Sequence, residues 1–266
     1  MHRIIIPFLS IFILAGSACC AAQHGGSATI RQKAEAAGTP RELTLMSYNV
    51  RNCKGIDNQS DVARTASVIC RIKPEVVAIQ EVDSMTGRSG GRYVLAELAE
   101  ATGMIPLFAP AIDYDGGRYG IGILSRECPL SVRRIALPGR EEARAAIVAE
   151  FPDYFFCSTH LSLTDADRQA SARQFAGLAA EAHKPFFVAG DFNAHPDEPT
   201  IATFLEDFTP LTDTTRPTYP ADAPEEVIDY IMIYAPTSAG VTVKQSSVVE
   251  APAESDHRPI TATVVL

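Results

Sequence analysis

FFVAGDFNAHP, residues 186–196, decides how this chain is read. Phe186 to Gly190 has the length and apolar character of a buried strand, and the run ends on Asp191, Phe192 and Asn193, with His195 close behind. An ionised carboxylate at the edge of a core is costly to desolvate unless it is paired or holds a metal. What matters next is whether other strands end the same way.

They do. Asn49 lies near the end of LTLMSYNV (43–50), Glu81 near the end of EVVAIQEV (75–82), and His160 near the end of YFFCSTHL (154–161). Two more polar clusters stand at strand starts: Asp229 opens DYIMI (229–233), and Ser255-Asp256-His257 precedes PITATVVL (259–266). In layered α/β folds ligands gather at the C-terminal ends of strands. For all these groups to meet there, the last two strands must run antiparallel to the four earlier ones. Each residue alone has a plainer account. Asp and Asn after a strand form turns, Glu81 could be a solvated strand end, and His160 a hydrogen-bonded core histidine. Asp256 could cap a turn, and Asp229 could be a loop carboxylate. Recurrence at six strand ends favours one shared polar centre.

Between these strands lie helical patterns. SDVARTASVICRIK (60–73) is amphipathic with Ser60 or Asp61 as cap, and YVLAELAEATG (93–103) closes on Gly103. TDADRQASARQFAGLAAEAH (164–183) is a third helix, entered through Thr164 or Asp165, and a short one falls near 198–205. MIPLFAP, YGIGILS, PLSVRRIAL and RAAIVAEF fill the middle as strands, with turn signals such as DYDGGR between them, and VTVKQSSVV is another near the end. The succession predicts an α/β layered domain with one mixed sheet or two packed sheets.

The 266 residues are 46% apolar and 21% charged, an ordinary soluble composition for one large domain or two small ones. Residues 1–22 stand apart: a short positive start, the run IIIPFLSIFILAG and the small residues SACCAA read as a secretory signal peptide. Cys19 after Gly-Ser-Ala offers a lipoprotein-type alternative, although the Leu expected three places earlier is missing. Residues 23–41 read as a flexible tether and 42–266 as the folded domain. The expected product is exported, periplasmic or extracellular, monomeric and without an integral membrane span once the signal is removed.

Of the four remaining cysteines, Cys53, Cys70, Cys128 and Cys157, none forms a CxxC pair, so a cysteine zinc site is not expected. The net charge of −9 becomes −10 once Arg3 leaves with the signal, which argues against long-range attraction to nucleic acid or anionic membrane. A local cationic field from Arg51, Lys54, Arg88, Arg92, Arg118 and Arg144 stays open.

The ordered set MSYNV, IQEVD, STHLSL, GDFNAHP, IDYIM and SDHRPI resembles the endonuclease/exonuclease/phosphatase superfamily, from Leu43 to Leu266. The resemblance implies a deoxyribonuclease I-like four-layer sandwich of two packed mixed β-sheets flanked by helices. It also implies phosphodiester or phosphomonoester hydrolysis by activated water. Glu81 is then the principal ligand of Mg²⁺ or Mn²⁺, for which oxygen donors are suited, with Asn49 and Asp256 nearby or water-mediated. His257 is the expected base, oriented by Asp229, although Asp191 competes for that role. Asp191 would orient the water, while Asn193 and His160 would donate to phosphoryl or leaving-group oxygens. Arg144 matches a family arginine reaching the substrate, against the alternative of a surface strand arginine. Tyr119 is expected to pack, and His195 to be structural or solvent-facing.

Substrate choice lies in loops. The loop DSMTGRSGGR (83–92) is the expected contact, with a mobile solvated loop as its alternative. Nucleic acid, a lipid such as sphingomyelin and a small phosphate ester all remain open as substrates. A non-catalytic binding module on the same fold is the reading from another class.

Overall fold

The computed structural model describes residues 40–266. The expected signal (1–22), Cys19 and nearly all of the tether (23–41) therefore lie outside the described residues. Arg41, assigned to the end of the tether, is already part of the fold. Its carbonyl accepts from Leu266 N at 2.9 Å, and its guanidinium pairs with Glu127 and Asp153 at 2.8 and 2.6 Å.

Among the described residues twelve strands make two six-stranded sheets. The first has the order β11-β12-β1-β2-β4-β3, with β1 Glu42–Asn49, β2 Val76–Ser84, β3 Ile105–Tyr114, β4 Gly117–Ser125, β11 Thr242–Val248 and β12 Ile260–Val265. The second runs β5-β6-β7-β8-β10-β9, with β5 Ser131–Leu137, β6 Arg144–Glu150, β7 Phe155–His160, β8 Phe186–Asp191, β9 Phe208–Pro210 and β10 Asp229–Tyr234. The strands β1 and β2 are parallel, as are β7 and β8, whereas β12 is antiparallel to β1 and β10 to β8. That is the direction pattern which the strand-end residues required.

Three apolar clusters define four layers. Between the sheets lie residues such as Leu45, Ile123, Ile147, Phe187, Ile231 and Ala262. The outer face of the first sheet (Met46, Tyr48, Val77, Ile79) packs on α1 (Val62–Ile72) and α2 (Val94–Thr102) through Val68, Ile69, Leu95 and Leu98. The outer face of the second (Val148, Cys157, Val188, Met232) packs on α3 (Asp165–Ala179) and α4 (Pro199–Leu205) through Phe175, Ile201 and Phe204. Both faces of each central strand are buried, which explains why these strands read as continuous apolar runs rather than alternating ones.

Local signals fix the ends of the elements. Asp61 caps α1 by accepting from Arg64 N at 2.9 Å, a contact worth about 1 kcal/mol. Gly103, at φ 66°, ends α2 in the left-handed conformation that glycine adopts most easily. The short β9 had no legible signal, and α3 stops at Ala179, four residues before its polar pattern does. Cys53, Cys70, Cys128 and Cys157 are all free thiols. Among the described residues no helix is long and apolar enough to cross a membrane.

Candidate active site

The site forms where the C-terminal ends of β1, β2, β7 and β8 meet the starts of β10 and the segment before β12. Gly190 is needed for this convergence, because a Cβ there would lie 2.1 Å from the Thr159 carbonyl on β7. The close approach sets His160 opposite Asp191 in register. Beyond β8 the chain turns sharply, with Asn193 at φ 49° and its N–H donating to Asp191 Oδ1 at 2.9 Å. The Asn193 carboxamide donates to the Leu161 carbonyl at 3.0 Å. Asp229, the first residue of β10, pairs with Asp191 across the antiparallel ladder.

Glu81 owes its direction to a β-bulge. Between the Ile79–Gly122 and Val82–Gly120 pairs, β2 has one residue more than β4, and Glu81 takes φ 59°. Ile79 and Val82 both pack in the cluster under α1 and α2 as a result. Glu81 is turned instead into a cavity of about 360 Å³ shared with Arg144, His160, Asp191, Asn193, Asp256 and His257.

Behind that cavity the polar groups form a connected network. His257 Nδ1 lies 2.9 Å from Asp229 Oδ2, and the same oxygen accepts from Thr218 Oγ1 at 2.6 Å. His257 Nε2 lies 3.6 Å from Asp191 Oδ2, as does His160 Nε2. Asn49 Nδ2 donates at 3.1 Å to Glu81 Oε1 and at 3.1 Å to Asp191 Oδ2, while its oxygen accepts from Arg51 N at 3.1 Å. Asn49 was expected to be an oxygen donor beside the cation; its oxygen here accepts from the backbone, and its N–H₂ faces the carboxylates. Ser255 Oγ donates to the Asn49 carbonyl at 2.8 Å and joins the β1 end to the segment bearing Asp256 and His257.

The electrostatics divide the two histidines. Burial lowers the His160 pKa to about 4, opposed by Asp191 and reinforced by Arg144 and His257, so its imidazole is neutral. Burial also disfavours charge on His257, but the Asp229 and Asp191 carboxylates outweigh it and raise the pKa to about 10. Glu81 is raised by desolvation, an effect that the Asn49 hydrogen bond opposes and the Asp256 and Asp191 carboxylates strengthen. Such crowding of carboxylates is what a divalent cation relieves. Asp191, Asp229 and His257 offer ligand atoms within 4.8 Å of one another. Each imidazole nitrogen of His257 faces a carboxylate, however, an arrangement that orients a proton.

Arg144 is buried in the cavity wall, 3.4 Å from Glu142 and 3.5 Å from Glu141, and is not a surface strand arginine. The carboxylate of Glu141 in turn accepts from Ser162 Oγ, Leu163 N and Thr164 Oγ1, fastening the loop after β7. Sequence reasoning missed several neighbours. Tyr119, expected to pack, lines the cavity, as do Glu142, Glu226 and Tyr219. The Tyr219 ring lies 4.8 Å from that of His257. The one available signal for Thr218 and Tyr219 was their position in RPTYP, shortly before the β10 strand. His195 is part-exposed and lies 3.5 Å from Glu226, outside the cavity lining.

Comparison with known proteins places this arrangement. A structure from Bacteroides thetaiotaomicron described as an endonuclease/exonuclease/phosphatase family protein superposes with a TM-score of 0.69 at 18% identity, covering 86% of this chain and 99% of that one. A mannosyl-6-phosphatase from the same species gives 0.66 at 17% identity, covering 84% and 100%. The human Nocturnin catalytic domain with a bound sulfate anion gives 0.63 at 16% identity, covering 84% and 94%. At these identities the likeness establishes the fold. The model of the Endonuclease/Exonuclease/phosphatase family matches residues 46–257, a span that runs from β1 through His257. The chain belongs to the endonuclease/exonuclease/phosphatase family.

Proposed function

We propose that this protein hydrolyses a phosphoester with the help of a divalent cation, and that the His257–Asp229 pair handles the proton. The observation that carries this reading is the 2.9 Å contact between them at the wall of a cavity that also contains Glu81, Asp191 and His160. The donor set fits Mg²⁺ or Mn²⁺: Glu81 and Asp256 present carboxylate oxygens, and burial first, then the nearby Asp256 and Asp191 carboxylates, raise the pKa of Glu81. Such a cation would stabilise negative charge developing on the phosphoryl oxygens.

The chain's own residues supply the rest. Asp229 fixes the ring orientation of His257, as a carboxylate does in other histidine pairs, and leaves Nε2 facing Asp191 and the cavity. Without a cation His257 is held protonated by its carboxylate neighbours. Offsetting their charge lets it accept a proton from water near neutral pH. Asp191 orients that water. Asn193, His160 and Arg144 line the space where a phosphoryl group would sit, His160 as a neutral donor and Arg144 as a cation. Asn49 acts by hydrogen bonds that hold Glu81 and Asp191 apart at a fixed distance. Export is part of the same reading, supported by the composition of residues 1–22.

The test is hydrolysis of bis(p-nitrophenyl) phosphate with Mg²⁺ or Mn²⁺, with and without chelator, and with Asp191→Ala as control. Chelator-sensitive turnover that Asp191→Ala abolishes is the expected result. Turnover that ignores both chelator and substitution sinks the proposal, and absence of turnover across plasmid DNA, RNA, sphingomyelin, phosphoinositides and simple monoesters returns the chain to the binding-module reading.

A further inference from the structure

A second polar cavity, of about 410 Å³, lies beside the first and shares Glu81 with it. Its other walls come from the loop after β1 (Arg51, Asn52, Lys54, Asn58, Ser60) and from Arg88 in the loop after β2. Among the described residues three cations and three neutral hydrogen-bonding side chains face this space, and no apolar or aromatic residue lines it. A nucleobase or an acyl chain would gain nothing there, whereas a multiply charged oxyanion would.

The walls are rigidly built. Asn52 donates to Asp83 Oδ2 at 2.9 Å and accepts from Asp83 N at 3.1 Å, which locks the loop after β1 to the end of β2. Arg88 donates twice to the buried Asp83, at 2.7 and 2.8 Å, and stacks 4.4 Å over the Tyr114 ring. Lys54 and Ser60 pair across the neck of the first loop, and Gly55 packs so closely on the Ala253 carbonyl that a Cβ would lie 2.5 Å from it. Arg51 lies 3.3 Å from Asp256 at the boundary between the cavities. Among the described residues Lys54 has no ion-pair partner, while Arg51 and Arg88 each have one. A cation engaging Glu81 and Asp256 would leave this pocket with net positive charge.

We propose that this second cavity is a subsite for a further phosphate on the substrate, so that the protein selects molecules carrying two phosphates within about a nucleotide's length. The inference rests on the phosphoesterase reading for the meaning of the first cavity. Two sources share the chemistry: a nucleotide strand and a small polyphosphorylated polyol.

Calorimetric titration of the full chain with Mg²⁺ separates them. Thymidine 3′,5′-bisphosphate is compared with thymidine 5′-monophosphate, and inositol 1,4-bisphosphate with inositol 1-phosphate. At least one bisphosphate is expected to bind about tenfold more tightly than its monophosphate, and Lys54→Gln to cut that advantage to about threefold or less. Whichever pair shows the larger ratio names the source. Arg133→Gln, a charge removed on β5 where Arg133 pairs with Glu181, is the control that should keep the ratio. Bisphosphates that bind no better than monophosphates overturn the proposal, as does an advantage that survives Lys54→Gln. Because this readout is binding, a bisphosphate preference without any phosphoester turnover would remove the hydrolytic reading and leave the subsite standing.

Discussion

Thr218 donates a 2.6 Å hydrogen bond to the Oδ2 atom of Asp229, the same oxygen that faces His257. Both Thr218 and Asp229 are buried, so nothing in solvent replaces the bond if it is lost. Thr218 comes from the loop before β10, and its carbonyl also accepts from Arg258 N at 2.8 Å. One residue thus ties the orienting carboxylate to the backbone just after the histidine.

Removing that hydroxyl has a calculable consequence. A hydrogen bond to a buried charge contributes about 1.5–3 kcal/mol, so Thr218→Val should lower unfolding stability by about that amount. It should also reduce kcat more than it raises KM, and Thr218→Ser should restore most of both. Urea unfolding and steady-state kinetics check this. A Thr218→Val protein with wild-type kcat would show that the bond does not position Asp229.

His257→Ala should lower kcat by about 10²–10⁴-fold, the usual contribution of a general base. Asp229→Asn should fall in the same range, because its amide can present a donor to Nδ1 and favour the wrong tautomer. The double variant should lose little more than either single one, since the two act as a unit. Additive losses would separate their roles.

Glu81 gives a thermal prediction that needs no substrate. Saturating Mg²⁺ at about 100 times its dissociation constant should stabilise the wild type by about 2.7 kcal/mol, a Tm rise of about 5–10 °C. Glu81→Gln should lose that rise. In chelator its Tm should match or exceed that of the wild type, because one carboxylate leaves the crowd it shares with Asp256 and Asp191. Differential scanning calorimetry reads both effects, and an undiminished Mg²⁺ shift in the variant would relocate the cation site.

Glu141 sets a pH dependence. Burial alone would raise its pKa, but hydrogen bonds from Ser162, Leu163 N and Thr164 outweigh burial and bring it to about 2. A carboxyl whose folded value lies below its unfolded value near 4.5 stabilises the fold fully above about pH 4.5. That contribution is lost as pH falls towards 2. Glu141→Gln should therefore be less stable than wild type at pH 7, with the gap narrowing between about pH 4.5 and 3. Urea midpoints at pH 7, 5 and 3.5 test the sign, and a gap that widens on acidification would contradict it.

Much of this architecture could be read along the chain, because burial leaves a direct imprint on composition. Strands covered on both faces must be apolar throughout, so YFFCSTHL and FFVAGD stood out. The short β9 did not, since three residues carry too little pattern. The residues around RPTYP were also silent: Thr218 reaches Asp229 and Tyr219 reaches His257 through a long loop whose path depends on packing, and no periodicity encodes it. Arg144 illustrates the limit from another side, as its strand position alone did not tell an exposed surface arginine from one buried in the cavity wall, where the structure has it.

What the sequence determined by itself was the alternation of strands and helices, the polar residues at strand ends and, from their order, the reversed direction of β10 and β12. These follow from local chemistry: desolvation makes a strand apolar, and a charge can stand only where the strand leaves the core. Only the tertiary structure decided where those groups point. Simple alternation along IQEVD would put Glu81 on the same side as Ile79, towards the helices, and one extra residue in β2 turns it into the cavity. The Asn49 amide likewise faces Glu81 and Asp191 with its nitrogen because Arg51 N claims its oxygen. Bulges and hydrogen-bond partners are properties of two chain segments meeting, and a single strand of sequence does not contain them.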